Sequence, residues 1–201
     1  MSFKSNLINI VLVETSHPGN IGSVARAMKT MGLSSLSLVN PRKFPSGEAN
    51  ALSGNAGDVL ENAQIFNSIE DAIKDSTFVY ATSSRSRTIQ WPTVHAEEGA
   101  LLINDQVTSD KKVSILFGRE DRGLTNEELQ LANTHIELSA HPEYPVSNLS
   151  MSAQIVCYEI FKSIEEAIAD STFVYATSSR NRTIQWPTVN SEEGAIKIVD
   201  Q

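Results

Sequence analysis

Apolar strand-like segments alternate with helix-like segments along the 201-residue chain, and this alternation constrains the fold more than any single motif. The stretch INIVLVE (residues 8–14) is β-branched and apolar, which is typical of a buried strand. Residues 20–31 follow as a predicted helix with an apolar stripe, and Gly32 is predicted to end it. Repeated strand–helix units predict an α/β fold with a mostly parallel sheet and helices on both of its faces.

The rest of the chain continues the same pattern. Further strands are predicted over residues 36–41, 77–82, 111–118 and 134–139. Further helices are predicted over residues 68–75, 96–105, 125–132 and 148–163. Ser68 and Thr125 are predicted to cap two of these helices. Residues 49–66 are predicted to form one or two short helices, broken by Gly54 and Gly57, and then a short strand.

Polar or glycine-rich loops follow four of the predicted strands. They are TSHPGN (15–20), TSSRSR (82–87), GREDRG (118–123) and SAHPEYPVSN (139–148). Because ligands of parallel sheets bind beyond the carboxyl ends of the strands, these loops together predict one composite site. Any one of them taken alone is more often an ordinary surface loop, since loops of α/β proteins are commonly polar.

Residues 68–106 return almost verbatim as residues 163–201. The repeated unit contains a helix, a strand, a basic loop and another helix, which is too little to bury its own apolar faces. Three interpretations stay open: a recent duplication or assembly error, an appended unit that extends the sheet, or a segment that exchanges with the first copy. We expect one domain over residues 1–162, followed by the near-duplicate over 163–201.

The composition indicates a globular protein of the cytoplasm. A net charge of −8 argues against a protein that coats nucleic acid through bulk charge. The single cysteine, Cys157, lies in an apolar stretch and is expected to be a buried thiol. The sequence has no membrane-span-length apolar run, no signal pattern at its start and no metal-ligand spacing among its four histidines. Local basic pairs remain at Arg26 and Lys29, Arg42 and Lys43, and Arg85 and Arg87.

Several loop residues have both a functional and a structural interpretation. Asn20 is predicted to cap the first helix, whose N-terminus attracts anions, and Arg26 is expected to reach back toward a phosphate there. A solvated or ion-paired side chain is the commoner outcome for a single helical arginine. GREDRG suits a nucleoside held by backbone groups, but it is neither a P-loop nor a dinucleotide fingerprint. Ser147 and Asn148 precede the last helix, where N-capping is the simplest role.

Three ordered stretches resemble the motifs of the SpoU branch of the SPOUT RNA methyltransferases. They are HPGNIGSVARAMKTMG, ILFGREDRGLTNEEL and PEYPVSNLSMSAQIVCYE. Together with SRSRTIQWP, they make residues 6–162 similar to the TrmJ-like tRNA 2′-O-methyltransferases. The resemblance implies a C-terminal deep trefoil knot, S-adenosylmethionine as the cofactor, no metal, and a homodimer.

The resemblance also assigns individual positions. Those that match catalytic residues are Arg26, at the target ribose, and Asn148. Those that match cofactor-binding residues are Thr82, Ser83, Ser84, Gly118, Glu120, Leu138, Pro145, Val146 and Ser147. Those that match RNA-binding residues are Asn20, Arg26, Arg85 and Arg87. The chain departs from the family in reading Val-Ser-Asn at 146–148 where Ser-Leu-Asn is common, so the serine is displaced by one position.

The implied reaction is attack of a ribose 2′-oxygen on the sulfonium methyl group of S-adenosylmethionine. The implied substrate is tRNA, at cytidine or uridine 32. Arginine is a poor general base, so we expect Arg26 to act as an electrostatic clamp on the forming alkoxide and the adjacent phosphate. The resemblance also implies a C-terminal extension that helps to grip tRNA, and the near-duplicate at 163–201 stands in its place. The alternative is a non-catalytic RNA- or nucleotide-binding module on the same fold, which the displaced Ser147 and this altered C-terminus favour. An unrelated nucleotide-binding α/β protein is a third possibility, without support from any phosphate loop.

Overall fold

Seven strands form one sheet in the computed structural model, which describes residues 4–83, 91–139 and 148–168, with side chains as far as residue 165. The strands are β1 (Ile8–Val13), β2 (Ser35–Val39), β3 (Gln64–Phe66), β4 (Phe78–Ser83), β5 (Thr93–His95), β6 (Val113–Phe117) and β7 (Thr134–Glu137). The helices are α1 (Pro18–Thr30), α2 (Gly47–Ser53), α3 (Gly57–Glu61), α4 (Ile69–Ile73), α5 (Ala96–Thr108), α6 (Asn126–Leu129) and α7 (Leu149–Ile168). A 3₁₀ turn, Ser5–Leu7, precedes β1.

All the strand pairs within these described ranges are parallel, and the strand order is β3-β2-β1-β6-β4-β7-β5. The predicted α/β class with a mostly parallel sheet is therefore confirmed. Residues 140–147, which lead into α7, lie outside the described residues. The trefoil knot consequently stays a prediction.

Both faces of the sheet are buried, as the strand β1 illustrates. All six of its residues are buried, so its sequence is continuously apolar except at Asn9. Alternate side chains join two different cores. Ile8, Ile10 and Leu12 pack with residues of α1, α5 and α7, whereas Val11 and Val13 pack with residues of α4 and α6. Helices therefore cover both faces, as the sequence predicts.

Helix α1 begins two residues earlier than expected. Its N-cap is His17 and its first residue is Pro18, whose fixed φ suits the first helical position. The prediction of Asn20 as the N-cap is therefore wrong, and its side chain makes a different contact, described below. The predicted end is confirmed, because Gly32 has a φ of +73° and follows the last turn.

Helix α1 packs against α2 with unusually close backbones. A Cβ atom on Gly22 would lie 2.1 Å from the carbonyl oxygen of Ala49. Only glycine fits at this crossing, because the neighbouring atoms belong to the backbone and cannot rotate away. The apolar residues of α1 beyond a single stripe are thus covered by α2 of the same chain.

Two features escape the sequence analysis. The strand β5 has only three residues, follows directly after Trp91 and Pro92, and pairs with β7 at the edge of the sheet. Helix α7 extends beyond residue 163 into the repeated segment. Within α7, Cys157 is fully buried, and this burial raises the pKa of its thiol to about 12. The expected buried thiol is therefore confirmed.

The two copies of the repeat begin in different conformations. Ser68 caps α4, since its hydroxyl accepts a hydrogen bond from the Asp71 N–H at 3.1 Å. Its counterpart Ser163 lies inside α7, is 5% exposed, and donates to the Ile160 carbonyl at 2.8 Å. The chain divides into compact units over 1–164 and 165–201, and residues 169–201 lie outside the described part. The proposed boundary at 162 and the nature of the second copy remain predictions.

Two features are absent from the described residues. No helix among them has the length and apolar character needed to cross a membrane. Within the same residues, no group of three or more histidine, cysteine, aspartate or glutamate side chains is arranged to hold a metal ion.

Candidate functional site

The four loops singled out in the sequence follow strands that are consecutive neighbours in the sheet. The order β1-β6-β4-β7 places the carboxyl ends of these strands side by side. Leu12 of β1 is paired with Phe117 of β6, and Ser83 of β4 is paired with Glu137 of β7. The two strands of each pair therefore end at the same level. Residues 84–90 and 140–147 lie outside the described residues, and with them the site positions Ser84, Arg85, Arg87, Pro145, Val146 and Ser147.

Glu120 joins the loop after β6 to the start of α1. One of its carboxylate oxygens accepts hydrogen bonds from the N–H and hydroxyl of Ser16, at 3.0 and 2.9 Å. The other accepts from the Asn20 amide at 2.8 Å and from the His17 N–H at 3.3 Å. Partial burial opposes ionisation of Glu120, but these donors outweigh it and lower the pKa of the carboxyl group. The carboxylate thus accepts hydrogen bonds from donors at the helix start that would otherwise lack partners.

Gly118 permits a tight return of the chain directly after β6. The N–H and carbonyl of Arg119 exchange hydrogen bonds with Gly123, at 3.3 and 2.9 Å. A Cβ atom on Gly118 would lie 2.2 Å from the carbonyl carbon of Gly123. Gly123 itself has a φ of +70°, which favours glycine. Both glycines of GREDRG are therefore required by the backbone path.

A buried arginine, which the sequence analysis missed, holds the base of this loop. The Arg119 guanidinium donates two parallel hydrogen bonds to Glu128, both at 2.8 Å, and a third to Glu14 at 2.7 Å. Glu128 also accepts from the Thr125 N–H, completing the predicted capping box of α6. These contacts lower the pKa of Glu14 and raise that of Arg119. The sequence signal for this cluster is the predicted capping box of Thr125 and Glu128. That signal does not include the third partner, Glu14, which lies far away in the chain.

The ends of β4 and β7 meet at Ser83 and Leu138. The Leu138 N–H donates to the Ser83 carbonyl at 3.0 Å, and the Leu138 side chain is 5% exposed. The Thr82 hydroxyl donates to the carbonyl of Leu116 at 3.0 Å, which ties β4 to β6. Three predicted cofactor positions are thus brought to one edge of the sheet, next to Gly118. Sequence spacing alone gives no measure of this proximity.

Asn148 lies at the start of α7. Its side-chain oxygen accepts hydrogen bonds from the N–H of Ser150 at 2.8 Å and from its hydroxyl at 2.7 Å. The first bond is the contact typical of an N-cap residue. The structural interpretation of Asn148 is therefore confirmed, and its catalytic role stays a prediction.

Arg26 lies apart from the other candidates. It is eight residues beyond Pro18, which corresponds to about 12 Å along the helix axis. This distance exceeds the length of an arginine side chain, so Arg26 does not reach back to the N-terminus of α1 as expected. Its side chain is exposed and has no ion-pair partner among the residues described above. The structure therefore brings Asn20 to Glu120 but leaves Arg26 away from the strand ends.

This arrangement has known counterparts. Residues 7–158 match the family described as SpoU rRNA Methylase. The chain belongs to this family. The matched range includes all of the strand ends described above and the first half of α7.

Individual relatives of this SpoU family member are also similar over most of its length. A tRNA (cytidine/uridine-2′-O-)-methyltransferase TrmJ from Citrobacter koseri is 49% identical over 154 residues, which cover 76% of this chain and 63% of the relative. The chain therefore spans less than two thirds of that relative. A probable methylase family protein from Haemophilus influenzae has a TM-score of 0.75 at 40% identity, covering 85% of this chain and 72% of its own. TrmJ from Z. mobilis has a TM-score of 0.73 at 37% identity, covering 77% and 68% respectively.

Proposed function

We propose that this chain is an S-adenosylmethionine-dependent tRNA 2′-O-methyltransferase that acts on cytidine or uridine, at position 32. The observation that carries the proposal is the direct joining of two family motifs through Glu120 at the carboxyl edge of the sheet. The 49% identity to a TrmJ relative of that named activity supports the substrate class. A tRNA-modifying role also accords with the cytoplasmic location that the composition predicts.

The cofactor is held, in this proposal, by the ends of β4, β6 and β7. Thr82, Ser83, Gly118 and Leu138 supply carbonyls, a glycine backbone and an apolar side chain, a set that suits a nucleoside with a sulfonium side chain. Gly118 supports this use indirectly, because only glycine lets the chain fold back against Gly123 and Leu124 and so keep the shape of this loop beside the strand ends. When bound, S-adenosylmethionine supplies the methyl group of its sulfonium. Ser84, Glu120, Pro145, Val146 and Ser147 complete the proposed set, with Glu120 acting by fixing the neighbouring loop.

Arg26 and Asn148 are the proposed catalytic residues. A guanidinium stays protonated at physiological pH, so Arg26 stabilises negative charge on the ribose oxygen and the adjacent phosphate, and does not remove the proton. Its exposure and its lack of an ion pair within the described residues leave it available to a phosphate. Asn20, Arg85 and Arg87 are the other proposed RNA contacts.

A homodimer completes the proposal. Met151, Ile155 and Tyr158 form a stripe along α7 at helical spacing, and they are 63%, 41% and 40% exposed. Such a stripe suits burial against a second subunit. The apolar surface of α1 has no comparable need, because α2 covers it. Arg26 lies about two turns inside α1, and in this proposal pairing brings it to the other subunit's cofactor loops.

A non-catalytic RNA-binding module is the second candidate. The displacement of the serine in Val146-Ser147-Asn148 and the near-duplicate in place of the usual C-terminal extension favour it. Both candidates bind S-adenosylmethionine or RNA on the same fold, so only turnover separates them.

The test has two stages. Calorimetric titration with S-adenosylmethionine measures cofactor binding, and transfer of a radioactive methyl group to bulk tRNA, followed by nucleotide mapping, measures activity. Binding together with 2′-O-methylation supports the enzyme, and binding without transfer supports the module. Absence of both cofactor and tRNA binding contradicts both candidates.

A further inference from the structure

Three carboxylates around the start of α1, on Glu14, Glu48 and Glu120, are engaged by other groups of the protein. Glu14 accepts from Arg119, and Glu120 accepts from the first turn of α1. Glu48, on α2, lies 3.4 Å from the His17 imidazole nitrogen. This edge of the molecule therefore uses its own negative charges internally, although the chain as a whole carries −8.

Two cations at the same edge have no such partner. Arg42 and Lys43, in the loop between β2 and α2, are both exposed and form no ion pair with any described residue. Lys29 behaves differently, since its ammonium lies 2.6 Å from Asp58. Of the two basic pairs that the described residues include, the one at 42–43 thus keeps both of its charges uncompensated.

The loop that carries these cations is fixed to the loop after β1. The Arg42 N–H donates to the Thr15 carbonyl at 3.1 Å, and the Glu14 N–H donates to the Val39 carbonyl at 2.8 Å. At its other end, the buried Ser46 caps α2. Hydrogen bonds at both ends hold the backbone of the two cations beside the start of α1, so little backbone entropy is lost when their side chains bind an anion.

We infer that Arg42 and Lys43 bind backbone phosphates of the substrate RNA on the side of the site formed by the loops after β1 and β2. This inference rests on the proposed function and extends it to a loop outside the three family motifs quoted above. Phosphates are the anions that a polynucleotide presents in a row, and exposed, uncompensated cations on a fixed backbone match them. The contact positions the strand and carries no base specificity.

The experiment compares the double variant Arg42→Ala/Lys43→Ala with the control Lys74→Ala/Lys112→Ala. The control removes the same positive charge at the opposite edge of the sheet, where the strands begin. Lys112 directly precedes β6 at that edge. Filter binding of bulk tRNA is measured between 50 and 300 mM KCl, together with calorimetric binding of S-adenosylmethionine and the unfolding temperature. A third variant, Arg42→Lys, keeps the charge.

We expect the 42–43 variant to bind tRNA about tenfold more weakly at low salt and to lower the slope of log affinity against log salt by about 2, one for each phosphate contact. Cofactor affinity and the unfolding temperature should match the wild type, and Arg42→Lys should bind tRNA nearly normally. Equal tRNA binding by the 42–43 variant and the control overturns the inference. So does loss of S-adenosylmethionine binding or of the fold in the 42–43 variant with retention in the control, since the loop is then structural. Failure of the wild type to methylate or bind tRNA instead contradicts the proposed function itself.

Discussion

The side-chain amide of Asn20 donates to the carboxylate of Glu120 at 2.8 Å, across 100 residues of sequence. Because Glu120 also accepts from Ser16 and His17, one carboxylate replaces the usual capping side chain of α1. The N-terminus of α1 is therefore tied to the loop after β6. If that loop holds the cofactor as proposed, cofactor binding and the orientation of α1 are linked through this contact.

Replacing Glu120 by Gln tests this link. The amide accepts at only one of its two positions, so we expect a loss of about 1–2 kcal/mol in the free energy of unfolding and weaker cofactor binding. Chemical denaturation and calorimetry measure the two effects. Glu98→Gln is the matched control, since Glu98 is an exposed first-turn residue of α5. Equal stability of the two variants contradicts the capping role of Glu120.

The same carboxylate predicts a pH dependence. Glu120 and Glu14 both have pKa values lowered by their donors in the folded chain. Their stabilisation is therefore complete above the ordinary glutamate pKa of about 4.3 and is lost as the pH falls through the lower folded values. We expect the unfolding free energy of the wild type to fall more steeply below about pH 4.3 than that of Glu120→Gln. Parallel profiles contradict this assignment.

Replacing Gly118 by Ala should remove cofactor binding. The added methyl group would lie 2.2 Å from the Gly123 carbonyl carbon, so the loop has to open. We expect loss of S-adenosylmethionine binding and about 2 kcal/mol of destabilisation or more, measured by calorimetry and denaturation. Gly57→Ala is the control, because nothing lies within 4 Å of its added atom and it starts α3. If both variants bind the cofactor equally, the Gly118 loop is not part of the site.

Local sequence signals predicted most of the fold, whereas they did not predict the contacts between residues that are distant in the sequence. Thr125 with Glu128, and Gly32 at the end of α1, were predictable because their partners lie within one turn. The partnership of Glu120 with Asn20 depends on the order of strands in the sheet, which no local pattern contains. Ser163 has nearly the same neighbours in sequence as Ser68 but lies inside α7. The preceding apolar residues of α7 continue the helix there, and tertiary packing overrides the capping preference.

Replacing Arg26 by Ala should abolish methyl transfer. We expect activity to fall at least about 100-fold, because charge stabilisation at the ribose is lost. The affinity for S-adenosylmethionine should stay within a few-fold, because the proposal places Arg26 at the target ribose and not among the cofactor-binding residues. Lys29→Ala is the control for removing a charge from the same helix.

Mixing Arg26→Ala with Gly118→Ala subunits should restore part of the activity if the site is built across the dimer. If the mixed subunits recover no activity, all catalytic groups lie in one chain. If Arg26→Ala loses S-adenosylmethionine binding, Arg26 is a cofactor-binding residue.

Replacing Met151 by Glu should weaken the dimer. Met151 is 63% exposed on the α7 stripe, and a buried, unpaired carboxylate at an interface is costly. Sedimentation at micromolar concentration should show a shift from dimer to monomer. Leu101→Glu is the matched control, because Leu101 is 49% exposed on α5, outside the stripe. A wild type that is monomeric, or a Met151 variant that stays as dimeric as the control, rules out the α7 interface.

Two truncations test the role of the second copy. Cutting after Lys162 removes Ser163 and Ile164, which are 5% and 8% exposed, and Ile164 belongs to the main core. Cutting after Ile168 keeps both residues and all of α7. We expect the longer product to unfold like the full chain and to bind S-adenosylmethionine with the same affinity, but to bind tRNA differently, because the second basic loop is gone. The free energy of unfolding of the shorter product should be lower by about 2–4 kcal/mol, a loss typical of large-to-small core substitutions. Ile164→Ala in the full chain should reproduce most of that loss. If the longer product fails to fold or to bind the cofactor, residues 169–201 are an integral part of the domain.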